Sequence, residues 1–136
     1  MQIREFQMTD YDAVIGLWQI TDIPLGRTDD QAGVIHKMER DPDLFLVGIE
    51  NDVLVGAVMG TYDGRRGWIN HLAIHPNYQG RGYGAAIVAQ LEERLRKKGC
   101  QKLNLLIEPK NAKVQHFYET LDYQREELIF MEKWLT

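Results

Sequence analysis

Gln79, Gly80, Arg81, Gly82, Tyr83 and Gly84 set three glycines at alternate positions among polar side chains, an arrangement that suits an anion. Glycine lets the backbone approach a ligand closely. A helix opening at the last of the three, Gly84, would aim unpaired N–H groups and the positive end of its dipole at that ligand. A phosphate or pyrophosphate is the natural guest, and Gln79 and Arg81 beside the glycines favour it. Read as a pattern alone, Gly80-x-Gly82-x-x-Ala85 also meets the dinucleotide fingerprint, and a tight structural turn without a ligand is a further reading. The Walker pattern fails, because no Gly-Lys-Ser/Thr follows.

The turn needs a strand before it and a helix after it. His75 to Ala86 joins an apolar strand-like run, Ile69 to Ile74, to a helix carrying Ile87, Val88, Leu91 and Leu95 on one face and ending at Gly99. Upstream, Ile3 to Phe6 reads as a short strand. Thr9 with Asp12 offers a capping box for a helix that buries Tyr11, Val14, Ile15 and Trp18. Asp22 to Asp30 is a loop, and a second helix with Val34 and Met38 ends near Asp41-Pro42. Leu44 to Ile49 and Val53 to Met59 form a hairpin about Glu50-Asn51-Asp52, and Asp63 to Gly67 turns the chain into Trp68 to Ile74. Beyond the glycines, Leu103 to Ile107 reads as a buried strand, Ala112 to Leu121 as a helix and Tyr123 to Leu135 as one or two further strands. The connection from Ile74 through the helix to Leu103 is a βαβ crossover, so those two strands are expected to be parallel in an otherwise antiparallel sheet. A Rossmann domain would need its fingerprint after the first strand and more parallel units downstream, so a dinucleotide site does not fit this order.

The 136 residues, 44% of them hydrophobic, suit one domain over 1–136. A net charge of -4 argues against nucleic acid as partner and mildly suits a cationic substrate. Cys100 is the only cysteine, so no internal disulfide can form, and an inert thiol is the simpler reading. The first residues have no apolar signal core, and no apolar run approaches the roughly 20 residues of a membrane span. A cytoplasmic location with no membrane partner is expected.

The motif Gln79-x-x-Gly82-x-Gly84, preceded by Leu72-Ala73-Ile74-His75-Pro76, resembles the signature of the GNAT superfamily of acetyl-CoA-dependent N-acetyltransferases. Asn111-Ala112-Lys113-Val114-Gln115-His116-Phe117-Tyr118 is similar to a second motif of that family, and the resemblance covers essentially the whole chain. It implies an α/β (α+β) fold: a mixed, mainly antiparallel sheet of roughly six to seven strands with about four helices and a splayed parallel central pair. It also implies acetyl transfer from acetyl-CoA to a primary amine by direct attack, with no metal and with a homodimer left open. A non-catalytic acyl-CoA sensor is the alternative. In the family pattern, the amides of Gln79, Gly80, Arg81, Gly82, Tyr83 and Gly84 hold the coenzyme's pyrophosphate. The backbone of Leu72, Ala73 and Ile74 pairs with its pantetheine arm, and the Leu72-Ala73 amides steady the oxyanion.

Tyr118 matches the tyrosine that protonates the departing thiolate, and Asn111 a residue that contacts the coenzyme, although the spacing also fits an apolar helix face for Tyr118 and a helix cap for Asn111. The glutamate that some members carry on the fifth strand is replaced here by Leu106. Glu108, two residues on, is a candidate base if the strand continues. Asn70 corresponds to a position where other members place a water-organising histidine. His71 is expected on the opposite face, as a structural residue. An α-amine, ordinarily near pKa 7.7 to 8.0, would need less help from a base than a lysine near about 10.4. Asp122 stands where the family has glycine, and a left-handed helix end is expected there. Substrate contacts are expected from Trp18, Asp22 and Arg27 and from the Tyr62 to Arg66 hairpin.

Overall fold

A computed structural model describes Met1 to Thr136 and groups them into two compact units, Met1–Leu106 and Ile107–Thr136. The first holds β1 (Gln2–Glu5), α1 (Tyr11–Ile20), α2 (Gln31–Arg40), β2 (Phe45–Glu50), β3 (Val53–Tyr62), β4 (Gly67–Ile74), α3 (Tyr83–Lys97) and β5 (Leu103–Leu105). One sheet runs in the order β1-β2-β3-β4-β5. Every neighbouring pair is antiparallel except β4 and β5, which are parallel as the crossover requires.

The sheet is covered on both faces, and β3 divides them. Ala57 joins Phe6, Val14, Leu17, Trp18, Val34, Phe45, Val47 and Ala73 in a core beneath α1 and α2. Its neighbour Gly56 faces Ile87 of α3 instead, and a Cβ at Gly60 would meet Leu91 at 2.5 Å, so α3 packs closely on the other side. The β2–β3 hairpin closes through Asn51 and Asp52, at φ 49° and 63°. Two successive left-handed residues are what a type I′ turn demands, and Asn and Asp tolerate that region best after glycine.

Capping departs from expectation at α1. Asp10, not Thr9, stands at the helix start: its carboxylate accepts the Gln7 N–H at 2.9 Å and a two-pronged donation from Arg4 at 2.7 and 2.9 Å. These bonds fix the turn that precedes α1, and the Asp10 side chain makes no capping bond to the helix itself. At α2, Asp30 caps in the ordinary way, taking the Gly33 N–H at 2.8 Å.

The sheet has five strands, not six to seven, and two strand expectations fail for the same reason. β5 stops at Leu105, and Leu106 is exposed. Residues 124–136 form no strand; Leu128, Ile129 and Met131 are 85%, 90% and 85% exposed. A strand exists only by pairing with a neighbour, and apolar periodicity identifies candidates without supplying the partner. In the second unit, α4 (Ala112–Glu119) is followed by Asp122 at φ 70°, the left-handed end expected of it.

Phe45 is fully buried, with its ring centroid 4.1 Å from that of Phe6 and 6.3 Å from that of Trp18. Phe45→Ala should cost about 3–5 kcal/mol of unfolding free energy, read from urea denaturation. A loss below about 1 kcal/mol would mean that this cluster is not the core of the α1/α2 face.

Candidate active site

The site begins with an irregularity in β4. Met59 pairs with Asn70 and Ala57 with Ala73, so Val58 alone faces two residues, His71 and Leu72. His71 takes up the extra length at φ 54°, the left-handed conformation of a β-bulge. Alternation slips by one there. Ala73 lies in the core with Trp18, the His71 ring stands edge-on to Trp18 at 4.8 Å, and Asn70 and His71 line one cavity. His71 is therefore not on the opposite face from Asn70. A signal was present: the apolar residues Ile69, Leu72 and Ile74 are spaced by three and then two, out of phase with a regular strand. Trp18, expected to contact substrate, is fully buried and donates its indole N–H to the His71 carbonyl at 3.2 Å, pinning the bulge from below.

The cavity holds about 320 Å³ and is bounded by Thr28, Asp29 and Lys37 on one side and Met59, Asn70 and His71 on the other. Asp29 closes a short turn, Arg27–Asp29, where its carboxylate accepts the Gly26 N–H at 2.7 Å. The same carboxylate lies 3.2 and 3.3 Å from His71 Nε2. Lys37 has no donor to spare, because its ammonium binds Asp41 at 2.7 Å, the Thr61 hydroxyl at 2.8 Å and the Gly60 carbonyl. Burial pushes its pKa down, and Asp41 opposes that shift.

Above the bulge the parallel pair comes apart. β5 pairs with β4 only from Gly67 to Ile69, opposite Leu103 to Leu105, and β4 then runs on to Ile74 without a β5 partner. Leu72, Ala73 and Ile74 thus offer strand backbone to something other than β5.

The glycine turn follows directly. A 3-10 turn, Pro76–Tyr78, leads to Gly80 and Gly82 at φ 78° and 80°. A Cβ at either would meet nothing within 4 Å, so what requires glycine is the backbone conformation and not crowding. α3 starts at Tyr83 with Gly82 as its cap, one residue before Gly84, which lies inside the first turn. Its ladder opens with Ala86 N–H to Gly82 C=O at 3.0 Å, leaving the amides of Tyr83, Gly84 and Ala85 without helical acceptors. Gln79 spends its side-chain amide on the Ile74 carbonyl at 3.0 Å, bracing the turn against the strand end. Arg81 lies over the Tyr78 ring at 5.0 Å, and the Tyr83 hydroxyl donates to Glu50. That hydrogen bond lowers the Glu50 pKa and raises that of Tyr83.

In the second unit, Glu108 is exposed and off any strand, its carbonyl closing a turn with the Asn111 N–H at 2.9 Å. Asn111 stands at the start of α4, but its side chain makes no capping bond. Tyr118 is buried, with ring contacts to Phe117 and Tyr123 at 5.1 and 5.2 Å. Burial pushes the pKa of its phenol strongly up.

A two-faced α/β sheet with a split parallel pair leading into a glycine-capped helix start defines the class of fold. Residues 2–123 match the model of the acetyltransferase (GNAT) family. An acetyltransferase of Yersinia pestis strain Pestoides F is 42% identical over 135 residues, 99% of this chain and 96% of that one. An acetyltransferase of Pectobacterium atrosepticum is 40% identical over the same shares. Among solved structures, the PaiA N-acetyltransferase of Thermoplasma acidophilum in complex with coenzyme A has the same fold at a TM-score of 0.83 and 16% identity, covering 94% of this chain and 92% of that one. Ard1 of Thermoplasma volcanium gives a TM-score of 0.80 at 21% identity, over 88% and 80%. The chain belongs to the GNAT acetyltransferase family, a family of acyltransferase enzymes. No helix is long and apolar enough to cross a membrane.

The Tyr118 phenol should leave a mark on alkaline stability. Its folded pKa is raised, so its contribution is fully present below the ordinary tyrosine value of about 10 and is lost as pH rises beyond it, where only the unfolded state ionises freely. Urea midpoints taken across that range should fall in the wild type and fall less steeply in Tyr118→Phe. Parallel curves for the two proteins would show that Tyr118 is not protected from ionisation.

Proposed function

We propose that this protein is an N-acetyltransferase that carries the acetyl group of acetyl-CoA to a primary amine, on a small molecule or a peptide, in a direct ternary complex. The observation that carries the reading is the Gly80–Gly82 turn, with both glycines left-handed and α3 opening on free amides. The residues fit the coenzyme: amides from Gln79 to Gly84 would hold its pyrophosphate, and the edge of β4 that β5 leaves at Leu72, Ala73 and Ile74 would take its pantetheine arm, the Ile74 carbonyl being already engaged by Gln79. Asn111 would add a contact to it. The coenzyme supplies an activated thioester.

The chain's own groups supply the rest. Leu72 and Ala73 amides steady the oxyanion, and preorganised donors of this kind act without reorganising during the reaction. Tyr118 would give the thiolate its proton, a phenol being protonated at neutral pH. Asn70, on the cavity wall, orders water beside the amine. Glu108 receives no role, because the strand that would have aimed it ends at Leu105. The net charge of -4 favours a cationic acceptor.

Calorimetry should find acetyl-CoA bound and NAD not bound, and absence of coenzyme binding would end this reading. Gly82→Ala, forced into a left-handed turn, should weaken coenzyme affinity by about tenfold. Thiol release from acetyl-CoA should then be measured against a panel of putrescine, spermidine, an aminoglycoside and short peptides with free N-termini. Tyr118→Phe should retain affinity and lose roughly 100-fold in turnover. An unchanged turnover in that variant would assign the proton to another donor.

A further inference from the structure

We propose that His71 is the base that takes the proton from the attacking amine, that Asp29 positions it, and that the cavity they line receives the acceptor. The inference rests on the acetyl-transfer reading and names a residue which that reading leaves open.

The geometry is specific. The bulge turns His71 out of strand alternation and onto the cavity wall, while its carbonyl is tied to the Trp18 indole and its ring is held edge-on by the same side chain. Asp29 is itself fixed: its carboxylate holds the Gly26 N–H and its carbonyl accepts the Tyr11 hydroxyl at 3.1 Å. An ionised carboxylate can only accept, so the 3.2 Å contact places the imidazole proton on Nε2 and leaves the lone pair on Nδ1. Nδ1 has no hydrogen bond in the protein. A base oriented through its other nitrogen by a carboxylate is an arrangement that recurs in general-base catalysis. The cavity, at about 320 Å³, is within the range of small-ligand pockets. The residue next along the chain, Leu72, begins the backbone assigned to the oxyanion, so base and acyl centre belong to one segment.

The charged groups facing His71 are Asp29 from its turn and Lys37 from α2; α1 presents Trp18, and β3 presents Met59 and Thr61, all uncharged. Lys37 is held by three acceptors and does not compete for the amine's proton.

In the reaction, an ammonium proton passes to His71 Nδ1, giving an imidazolium beside the Asp29 carboxylate. The freed nitrogen lone pair attacks the thioester carbonyl; the C–N bond forms and the C–S bond breaks. The nitrogen releases its second proton to water as the tetrahedral intermediate collapses, and the thiolate gains one from Tyr118. Water regenerates the phenol and the imidazole. The sum is an amide, a free thiol and one proton released to solvent.

Two measurements test this. Long-range ¹H–¹⁵N spectra of the uniformly labelled full chain at neutral pH should show His71 as the Nε2–H tautomer, and as a mixture in Asp29→Asn. An Nδ1–H tautomer in the wild type would overturn the proposal without any variant or acceptor. With the panel amine that gives the fastest thiol release, His71→Gln should bind acetyl-CoA within about twofold of wild type and lose about 100-fold or more in kcat/KM at neutral pH. Its rate should recover only as pH nears the amine's own ionisation, near about 10 for an alkylamine, where the free amine no longer needs a base. Asp29→Asn should lower kcat about tenfold with KM unchanged; a merely structural Asp29 would alter stability and leave the tautomer alone. Wild-type kcat/KM and pH profile in His71→Gln would overturn the role of His71 while leaving the acetyl-transfer reading intact. Failure of acetyl-CoA to bind the wild type would instead remove both.

Discussion

The ladder between β3 and β4 carries one residue too many, His71 and Leu72 together facing Val58, and because strand side chains alternate with a period of two, that residue shifts the phase of everything after it. Without the bulge, Asn70 and Ala73 could not share a face, since they are three positions apart. With it, Ala73 reaches the α1/α2 core, Asn70 and His71 reach the cavity, and the backbone at Leu72 starts a new register just where β5 has left. The bulge is held by the core. The Trp18 indole, with no exposed surface, binds the bulged carbonyl, so the packing of α1 and the shape of the site are mechanically one feature.

Around that feature the charges are arranged so that most are already satisfied. Lys37 is buried against its own pKa and still keeps a full set of acceptors, which makes it a strut between α2 and β3 and not a reactive amine. Asp41 is shared between Lys37 and Arg40, each at 2.7 Å, and is equally spent. The exception is the pair on the cavity wall. Asp29 is held by a backbone amide and turned towards His71, whose second nitrogen has no bond within the protein. Chemistry is drawn from groups with unused capacity, and here the unused capacity lies at the bulge.

Much of the fold was legible because its signals are local. The Asn51-Asp52 turn, the Gly99 stop, the left-handed Asp122 and the parallel crossover follow from residue types acting on their own neighbours. The failures involve competition or distance. Thr9 looks like a cap until Arg4, six residues from Asp10, draws a carboxylate to the helix start. Leu128 to Met131 reads as strand, but no rule of composition names the edge it would join. His71 reads as a structural residue only if β4 alternates without fault, and the spacing of Ile69, Leu72 and Ile74 already breaks that pattern. Lys37, Asp29 and Thr28 could not be gathered onto one wall from sequence, since α2 and the turn before it come to β4 only through tertiary packing.

The two halves of the proposed site rely on different parts of the chain, and this bears on what the family resemblance can convey. The coenzyme half is built from backbone: left-handed glycines with empty space where a Cβ would project, helix amides, and a strand edge without a β5 partner. Such a surface needs only a few glycines in register, so it is written in a short motif, while the fold around it survives wide divergence, as the TM-score of 0.83 to the PaiA enzyme at 16% identity illustrates. The acceptor half is built from side chains contributed by the Arg27–Asp29 turn, α2, β3 and the bulge, and each can change without disturbing the motif. Motif matching therefore identifies the family. The acceptor must be read from the cavity itself, where an oriented imidazole and a fixed carboxylate favour an amine that arrives protonated.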